Sequence, residues 1–331
     1  MKIVTVYPYF INKGGAQNMA ISIAKGLSEG EKPVVLVLDN RINEAYNDSD
    51  VNFKKLNLLT IYNYYKKGYV FLSHHRKTTT YLELLSRFFF WNKLKVVHVA
   101  HNTFDSLRMF TLFPKFNIAV SETVKDNMIQ YFGLKEDSVR VIYNGIVDKY
   151  EENKAGKIHR VSEASINILF LGRIDPVKRQ VDFVRNTKGK LSDNIKIYFA
   201  GLGQDYETLR NTIQNDSHYV MLGLVNPYEE IYKYDYVCLF SEKEGLPLTL
   251  IEALMFKKPL ITNDIPQCLE INEDGYCGYV NHSYDDILKC LNNLPSPDSE
   301  LYKTLSANAR SIYENKFQWG VMIRNYFESI S

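Results

Sequence analysis

The chain is predicted to be an α/β protein built from two Rossmann-like, doubly wound parallel sheets in tandem, and three observations predict it. Apolar runs of four to six residues alternate with helical stretches, as expected for strands buried on both faces by crossover helices. The alternation runs twice, interrupted at 148–165 (DKYEENKAGKIHRVSEAS) by a polar stretch without hydrophobic periodicity, which reads as a linker. The 331 residues also suit two cores of roughly 150 residues better than one.

Residues 2–7 (KIVTVY) form the first predicted strand, and Gly14–Gly15 punctuate the loop before a helix near 18–27. Strands follow at 33–38 (PVVLVL), 69–73 and 95–100 (KVVHVA), with a helix over 78–90 between the last two. Beyond the polar stretch come strands at 166–171 (INILFL), 196–200 (KIYFA), 220–223, 236–240 (YVCLF) and 259–262 (PLIT), each followed by a loop and a helix. The last stretch, 301–330, is predicted as an amphipathic helix with Trp319 inside it. The domain boundaries expected are 1–150 and 151–314, with 315–331 crossing back to pack on the first domain. Ligands of such sheets bind at the carboxyl ends of the strands, at a topological switch point. Two facing units would make an interdomain cleft there.

Composition narrows the partners. Forty Lys and Arg against 38 Asp and Glu leave a net charge of +2, which makes no case for nucleic acid. The four cysteines, Cys238, Cys268, Cys277 and Cys290, have no CxxC spacing and are expected as reduced thiols. No h-region follows Met1, and no apolar run approaches the ~18–20 residues that span a bilayer. The expectation is a cytoplasmic chain, soluble or peripheral on the inner face of the membrane.

Chemistry-bearing residues cluster in the second half. Glu244-Gly-Leu-Pro-Leu-Thr-Leu-Ile-Glu252 follows the strand at 236–240 and opens a helix. Glu244 sits at the helix mouth and Glu252 two turns in, while the first N–H groups make an anion site. Pro247 has no N–H, so Leu248 and Thr249 are the expected donors. A helix with an acidic first turn is the plainer reading of the same residues. Gly172-Arg-Ile-Asp-Pro-Val-Lys178 follows the strand at 166–171, with Asp175 as N-cap and Pro176 at the first helical position. Arg173 and Lys178 then project from one strand-to-helix turn, as suits a diphosphate, unless they are two solvated surface cations.

Taken in order, the Gly14–Gly15 loop, His101, Asn144-Gly145, GRIDPVK, AGLG and EGLPLTLIEA resemble the retaining glycosyltransferases of family 4, over essentially the whole chain. The resemblance implies the GT-B fold and transfer of a sugar, with retention, from a nucleotide-sugar donor to a glycan or lipid-linked acceptor. A UDP-sugar and a surface polysaccharide, O-antigen or capsule, are the family-weighted expectations. It implies that Arg173 and Lys178 hold the donor diphosphate and that Glu252 accepts hydrogen bonds from the ribose. Glu244 would lie against the donor sugar in an orienting role, Gly245, Leu246, Pro247, Leu248 and Thr249 would line sugar and phosphates, and Leu224 would pack near the base. On the acceptor side, Gly15 would approach the donor phosphate and His101 the sugar near the reaction centre. His74, His75 and Asn102 are weaker acceptor-side candidates. No cofactor and no metal are expected, because the two cations stabilise the leaving diphosphate. Asp48-Ser49-Asp50 imitates a DxD metal motif but lies in a polar loop. The Gly-rich turn usual after the last strand is replaced by Asn263-Asp264-Ile265-Pro266-Gln267.

Two rival functions stay open at this point: another enzyme of the same fold, such as an epimerase or phosphorylase, and a catalytically silent nucleotide-sugar-binding subunit. One further segment, 81–95, places apolar residues at 81, 82, 85, 88 and 89 on one stripe, read first as core packing. Leu84, Phe90 and Trp91 fall off that stripe beside Arg87, Lys93 and Lys95, a face suited to peripheral contact with an anionic membrane.

Overall fold

The computed structural model describes residues 2–12, 14–28, 30–47, 50–88, 94–151 and 160–330. Within them the chain divides into two compact units, Met1–Asn144 with Gly320–Ser331, and Gly145–Trp319.

The first unit carries seven parallel strands: β1 (Ile3–Val6), β2 (Val34–Val37), β3 (Asn52–Lys55), β4 (Val70–Ser73), β5 (Val96–Ala100), β6 (Asn117–Ala119) and β7 (Val139–Val141). They lie in the order β3-β2-β1-β4-β5-β6-β7, so the topology reverses between β1 and β4. All six pairings are parallel, and β1 and β4 are in register from Ile3 opposite Val70 to Val6 opposite Ser73. β4 and β5 are buried throughout because crossover helices cover both faces. The helix Gly15–Gly26 follows β1, and Arg76–Phe88 lies between β4 and β5. Ser121 caps the helix Glu122–Gln130, its hydroxyl accepting the Val124 N–H at 3.1 Å.

The second unit repeats the plan with six strands: β8 (Ile166–Leu171), β9 (Ile195–Ala200), β10 (Tyr219–Gly223), β11 (Tyr236–Leu239), β12 (Leu260–Asn263) and β13 (Gly278–Asn281). Their order is β10-β9-β8-β11-β12-β13, and the switch point lies between β8 and β11. Every pairing is again parallel.

The expected strands are present, and four more join them. β3 (NFKK) and β7 (VRV) are edge strands of the first sheet, β13 is an edge of the second, and β6 has three residues. An edge strand needs little apolar content, so hydrophobic runs do not reveal it. The stretch 301–330 is not one helix. A helix Glu300–Ile312 runs into a π-turn, Tyr313–Phe317, then an extended Gln318 precedes the helix Trp319–Ile330. There Ile146 N–H donates to Phe317 O at 3.0 Å and Trp319 N–H to Ile146 O at 2.9 Å, so the backbone at 146 replaces helical partners. Residues 152–159 of the polar stretch lie outside the described residues, but 160–165 are tied down. Arg160 holds Asp235 through two bonds of 2.8 Å and donates to Ser165 O at 2.9 Å.

Candidate functional site

In the second unit the loops leaving β8 and β11 meet at the switch point. Asp175 caps the first of them, its carboxylate accepting the Lys178 N–H at 3.1 Å. What it caps is one 3₁₀ turn, Pro176–Lys178, with Pro176 at its first position, and the α-helix begins only after it. Arg179 follows in the left-handed region (φ 54°), and the helix proper begins at Gln180. That single turn projects the Lys178 side chain towards the β11 loop, where its ammonium is paired with the Glu244 carboxylate. Glu242 N–H donates to Val177 O at 2.7 Å and locks the two loops together. Arg173 is different: its side chain is 78% exposed, with the Asp175 carboxylate at 3.3 Å.

The Gly201–Gly203 turn after β9 forms the floor beneath these loops. Gly172 N–H donates to Ala200 O at 2.9 Å, Ile174 N–H to Leu202 O at 3.1 Å, and Asp205 N–H to Ile174 O at 3.0 Å. A Cβ on Gly201 would fall 1.9 Å from Gly172 O, and one on Gly203 2.2 Å from Ile174 O. These glycines therefore permit close backbone approach. Gln180 adds a bond from Nε2 to Arg173 O at 2.7 Å. Sequence reasoning passed over Gln180, and the AGLG run was its one available signal for the packed turn.

After β11, Gly245, Leu246 and Pro247 are buried and lead into the helix Leu248–Met255. Leu248 and Thr249, at its N-terminus, are half-buried. Glu252 stands one turn further in, and burial raises its carboxyl to about 7. Tyr228 is pushed up to about 12 by burial and by the Glu252 charge. Leu224, just past β10, is largely exposed. Asn263, the last residue of β12, is buried, accepting the Ser241 N–H at 3.2 Å and donating to Ser241 O at 2.7 Å.

The first unit brings its histidines together at the carboxyl ends of β4 and β5. His74 Nδ1 and His101 Nε2 are 2.9 Å apart, their rings stacked with centroids 5.2 Å apart. His98, inside β5, was missed, since a lone polar residue in an apolar strand leaves no pattern. Its Nδ1 meets Thr79 Oγ1 at 2.8 Å and Ser73 O at 3.2 Å. Burial drives all three rings towards neutrality, His101 to about 4, His98 to about 3 and His74 well below its ordinary value. His75 is half-buried and accepts the Lys77 N–H at 3.1 Å, whereas Asn102 is exposed. Gly15 opens its helix behind Gly14, whose N–H donates to Tyr46 Oη at 3.2 Å.

Among the described residues no group of three or more His, Cys, Asp or Glu is placed to hold a metal ion. Asp48 and Ser49 of the DxD-like run lie outside them. All four cysteines are free thiols, and burial raises their pKa values. The segment 81–95 differs in part from expectation. Leu82 and Leu85 are buried, but Phe88, placed on the core stripe by its spacing, is 74% exposed at the helix end. Residues 89–93 lie outside the described set.

Comparison with known proteins adds three kinds of finding. The family model described as "Glycosyl transferases group 1" matches residues 151–312, and that described as "Glycosyltransferase Family 4" matches 13–149. The O-antigen biosynthesis glycosyltransferase WbnH of Escherichia coli is 26% identical over 198 residues, covering 59% of this chain and 55% of that protein. The lipopolysaccharide 1,6-galactosyltransferase of Escherichia coli K12 is 29% identical over 163 residues, covering 45% of this chain and 43% of that one. The chain thus spans little more than half the length of the first of these relatives. Among solved structures, Anabaena Alr3699/HepE in complex with UDP superposes with a TM-score of 0.84 at 16% identity, covering 100% of this chain and 99% of that one. The lipopolysaccharide outer core galactosyltransferase WaaB superposes with a TM-score of 0.75 at 14% identity, covering 100% and 99%. Both likenesses are to the GT-B fold of two Rossmann-like domains.

Proposed function

The chain belongs to the group 1, family 4 glycosyltransferases, and from that membership we propose that it transfers a sugar, with retention at the anomeric carbon, from a UDP-sugar to a glycan or lipid-linked acceptor. The acceptor is proposed to be an intermediate of a surface polysaccharide of the O-antigen or capsule kind, met on the cytoplasmic face of the membrane. The names of the O-antigen and lipopolysaccharide relatives support that assignment.

One observation carries the reading: Lys178 and Glu244 converge at the switch point of the second sheet, where doubly wound folds take their ligands. In the proposed reaction the diphosphate lies against Lys178, Arg173 and the Leu248–Thr249 N–H groups. The glycosidic C–O bond to phosphate breaks, and negative charge grows on the leaving oxygen. Two cations and a helix N-terminus stabilise that charge more in the transition state than in the bound donor. The acceptor hydroxyl attacks the same face of the sugar, and its proton passes to the leaving phosphate. Glu252 accepts the ribose hydroxyls, and Glu244 orients the sugar with Lys178 beside it. His101, neutral at pH 7, serves as a hydrogen-bonding contact and not as a cation.

A thermal-shift screen with UDP-, GDP- and ADP-sugars tests the donor, with a UDP-sugar expected to give the largest rise. Donor hydrolysis without acceptor then separates enzyme from silent binder. Because the positive charge comes from side chains, hydrolysis is expected to persist in EDTA. No shift with any nucleotide-sugar would sink the donor assignment, and loss in EDTA reversed by Mn²⁺ would sink the metal-free mechanism.

A further inference from the structure

We propose that His74 is a positioning residue for His101: its Nδ1–H donates to His101 Nε2 and so holds the proton of the second ring on Nδ1. His101 then meets its ligand as a hydrogen-bond donor, and the group it takes is an oxygen that accepts, such as a sugar hydroxyl.

Two neighbouring strands place the rings. β4 ends at Ser73 and β5 at Ala100, so His74 and His101 each stand one residue beyond a strand end. His74 N–H donates to Val6 O at 3.0 Å, which fixes the first ring's backbone against β1. The 2.9 Å approach of His74 Nδ1 to His101 Nε2 joins two rings inclined at 23°. Both side chains are buried, and burial disfavours the charged form of each. Each ring therefore carries a single proton at pH 7, and what matters is which nitrogen holds it.

One bond between two neutral rings can run either way. If His74 donates from Nδ1, its Nε2 is a bare acceptor and the His101 proton sits on Nδ1. If His101 donates from Nε2, the His74 proton sits on Nε2 instead. His74 Nε2 is buried and meets no hydrogen-bond partner. The second direction thus strands a buried N–H, the rarer kind of orphan in folded proteins. His98 follows the same rule. Its Nδ1 lies 3.2 Å from Ser73 O, which can only accept. It lies 2.8 Å from Thr79 Oγ1, whose own proton is directed to Ser73 Oγ at 2.9 Å or His75 O at 3.1 Å. His98 accordingly carries its proton on Nδ1, and its Nε2 is again buried and bare. Hydrogen-bond satisfaction selects the first direction.

The consequence falls on the far side of His101. Its Nδ1 has no protein partner among the described residues, which leaves that nitrogen for a ligand. An N–H there requires a lone pair opposite it and refuses an ammonium group. The use of this direction rests on the donor-sugar contact proposed above for His101, but the tautomer does not.

The full chain, labelled with ¹⁵N in its seven histidines, tests the tautomer by long-range proton–nitrogen correlation. Spectra of His74→Ala and His101→Asn assign the two signals. Both rings are expected as Nδ1–H forms at pH 7. His74→Ala makes room for water, which accepts as readily as it donates. His101 is then expected to turn towards the Nε2–H form that an unconstrained imidazole prefers. With the UDP-sugar of largest thermal shift, His74→Ala is expected to lower kcat for hydrolysis about tenfold, the worth of one hydrogen bond, at unchanged UDP affinity. UDP-induced thermal shift reads the folding of the variant, and the wild-type spectrum decides the direction whether or not the variant folds. An Nε2–H form of His101 in wild type, an unmoved tautomer in His74→Ala, or wild-type kcat alongside a changed tautomer would each overturn the proposal. If wild type hydrolyses no UDP-sugar, the function proposed above falls, while the spectra still decide the role of His74.

Discussion

Lys178 is 15% exposed and Glu244 12%, so neither charge is well enough solvated to stand alone. The pair satisfies both groups, and the proposed diphosphate would give Lys178 a second anionic partner. Lys178→Ala strands the Glu244 carboxylate as well as removing the proposed phosphate ligand. It is expected to lower the melting temperature and to cost about 2–4 kcal/mol of transition-state stabilisation in kcat/KM. Arg173→Ala is expected to cost a similar amount in kcat/KM while leaving melting unchanged, because its side chain is exposed. Wild-type kcat/KM in both variants would remove these cations from the diphosphate site. Glu252 supplies a pH signature. Burial holds its folded-state value near 7, above the ordinary 4.5, so the protonated form is the one folding favours. The stability this contributes is full below the ordinary value and fades as pH rises through about 7. In the proposed role the ribose hydroxyls donate to the ionised form, so UDP is expected to bind more tightly as pH climbs from about 6 to 8, with proton release. Titration calorimetry across that range checks it. A pH-independent affinity in wild type, or the same dependence in Glu252→Gln, would exclude the ribose role.

At the level of elements, the site is three loops laced across the carboxyl ends of β8, β9 and β11. The Gly203 position admits no side chain, since a Cβ there would meet the Ile174 N, C and O atoms inside 3.0 Å. Gly203→Ala forces backbone to move and is expected to destabilise the second unit by about 1–3 kcal/mol. UDP affinity should fall with it, because Ile174 lies between Arg173 and Lys178. Chemical denaturation and UDP binding on the same preparation test this, and an unchanged affinity would detach the glycine turn from the site. The AGLG run was visible in the sequence, but its reason was not. A glycine required by approaching backbone looks the same as one in a loose loop until the neighbouring strand is placed.

Across the whole molecule, the chain leaves the first unit at Asn144–Gly145 and returns to it at Trp319–Gly320. The two passages lie side by side in the second unit. Ile146 pairs with Gln318 as a parallel bridge, Tyr313 Oη donates to Ile146 O at 3.0 Å, and Arg310 holds the Asp148 carboxylate. The returning helix gives the first unit a buried aromatic, Tyr326, with no exposed surface. Tyr326→Ala is expected to cost about 3–5 kcal/mol through the cavity it leaves. That loss should appear in the unfolding of the first unit, with UDP binding preserved. Protection of backbone amides from hydrogen exchange would locate it, and a loss confined to the second unit would contradict the assignment.

What the sequence by itself determined was the repeated alternation of buried strand and helix, the cations of GRIDPVK, the E-x7-E pair and hence the family. These are local periodicities and spacings, and burial of both sheet faces forces them into the composition of each segment. It did not determine the edge strands β3 and β7, whose Asn52, Lys54, Lys55 and Arg140 are exposed, nor the four-residue edge strand β13. Nor did it reveal the break at 313–318, because a partner at Ile146 supplies bonds that no local pattern records. Only the tertiary structure paired Lys178 with Glu244, 66 residues apart, and His74 with His101, 27 apart. It also decided that Phe88 faces solvent. Contact and exposure are properties of distant segments brought together, and periodicity within one segment carries no record of what packs against it.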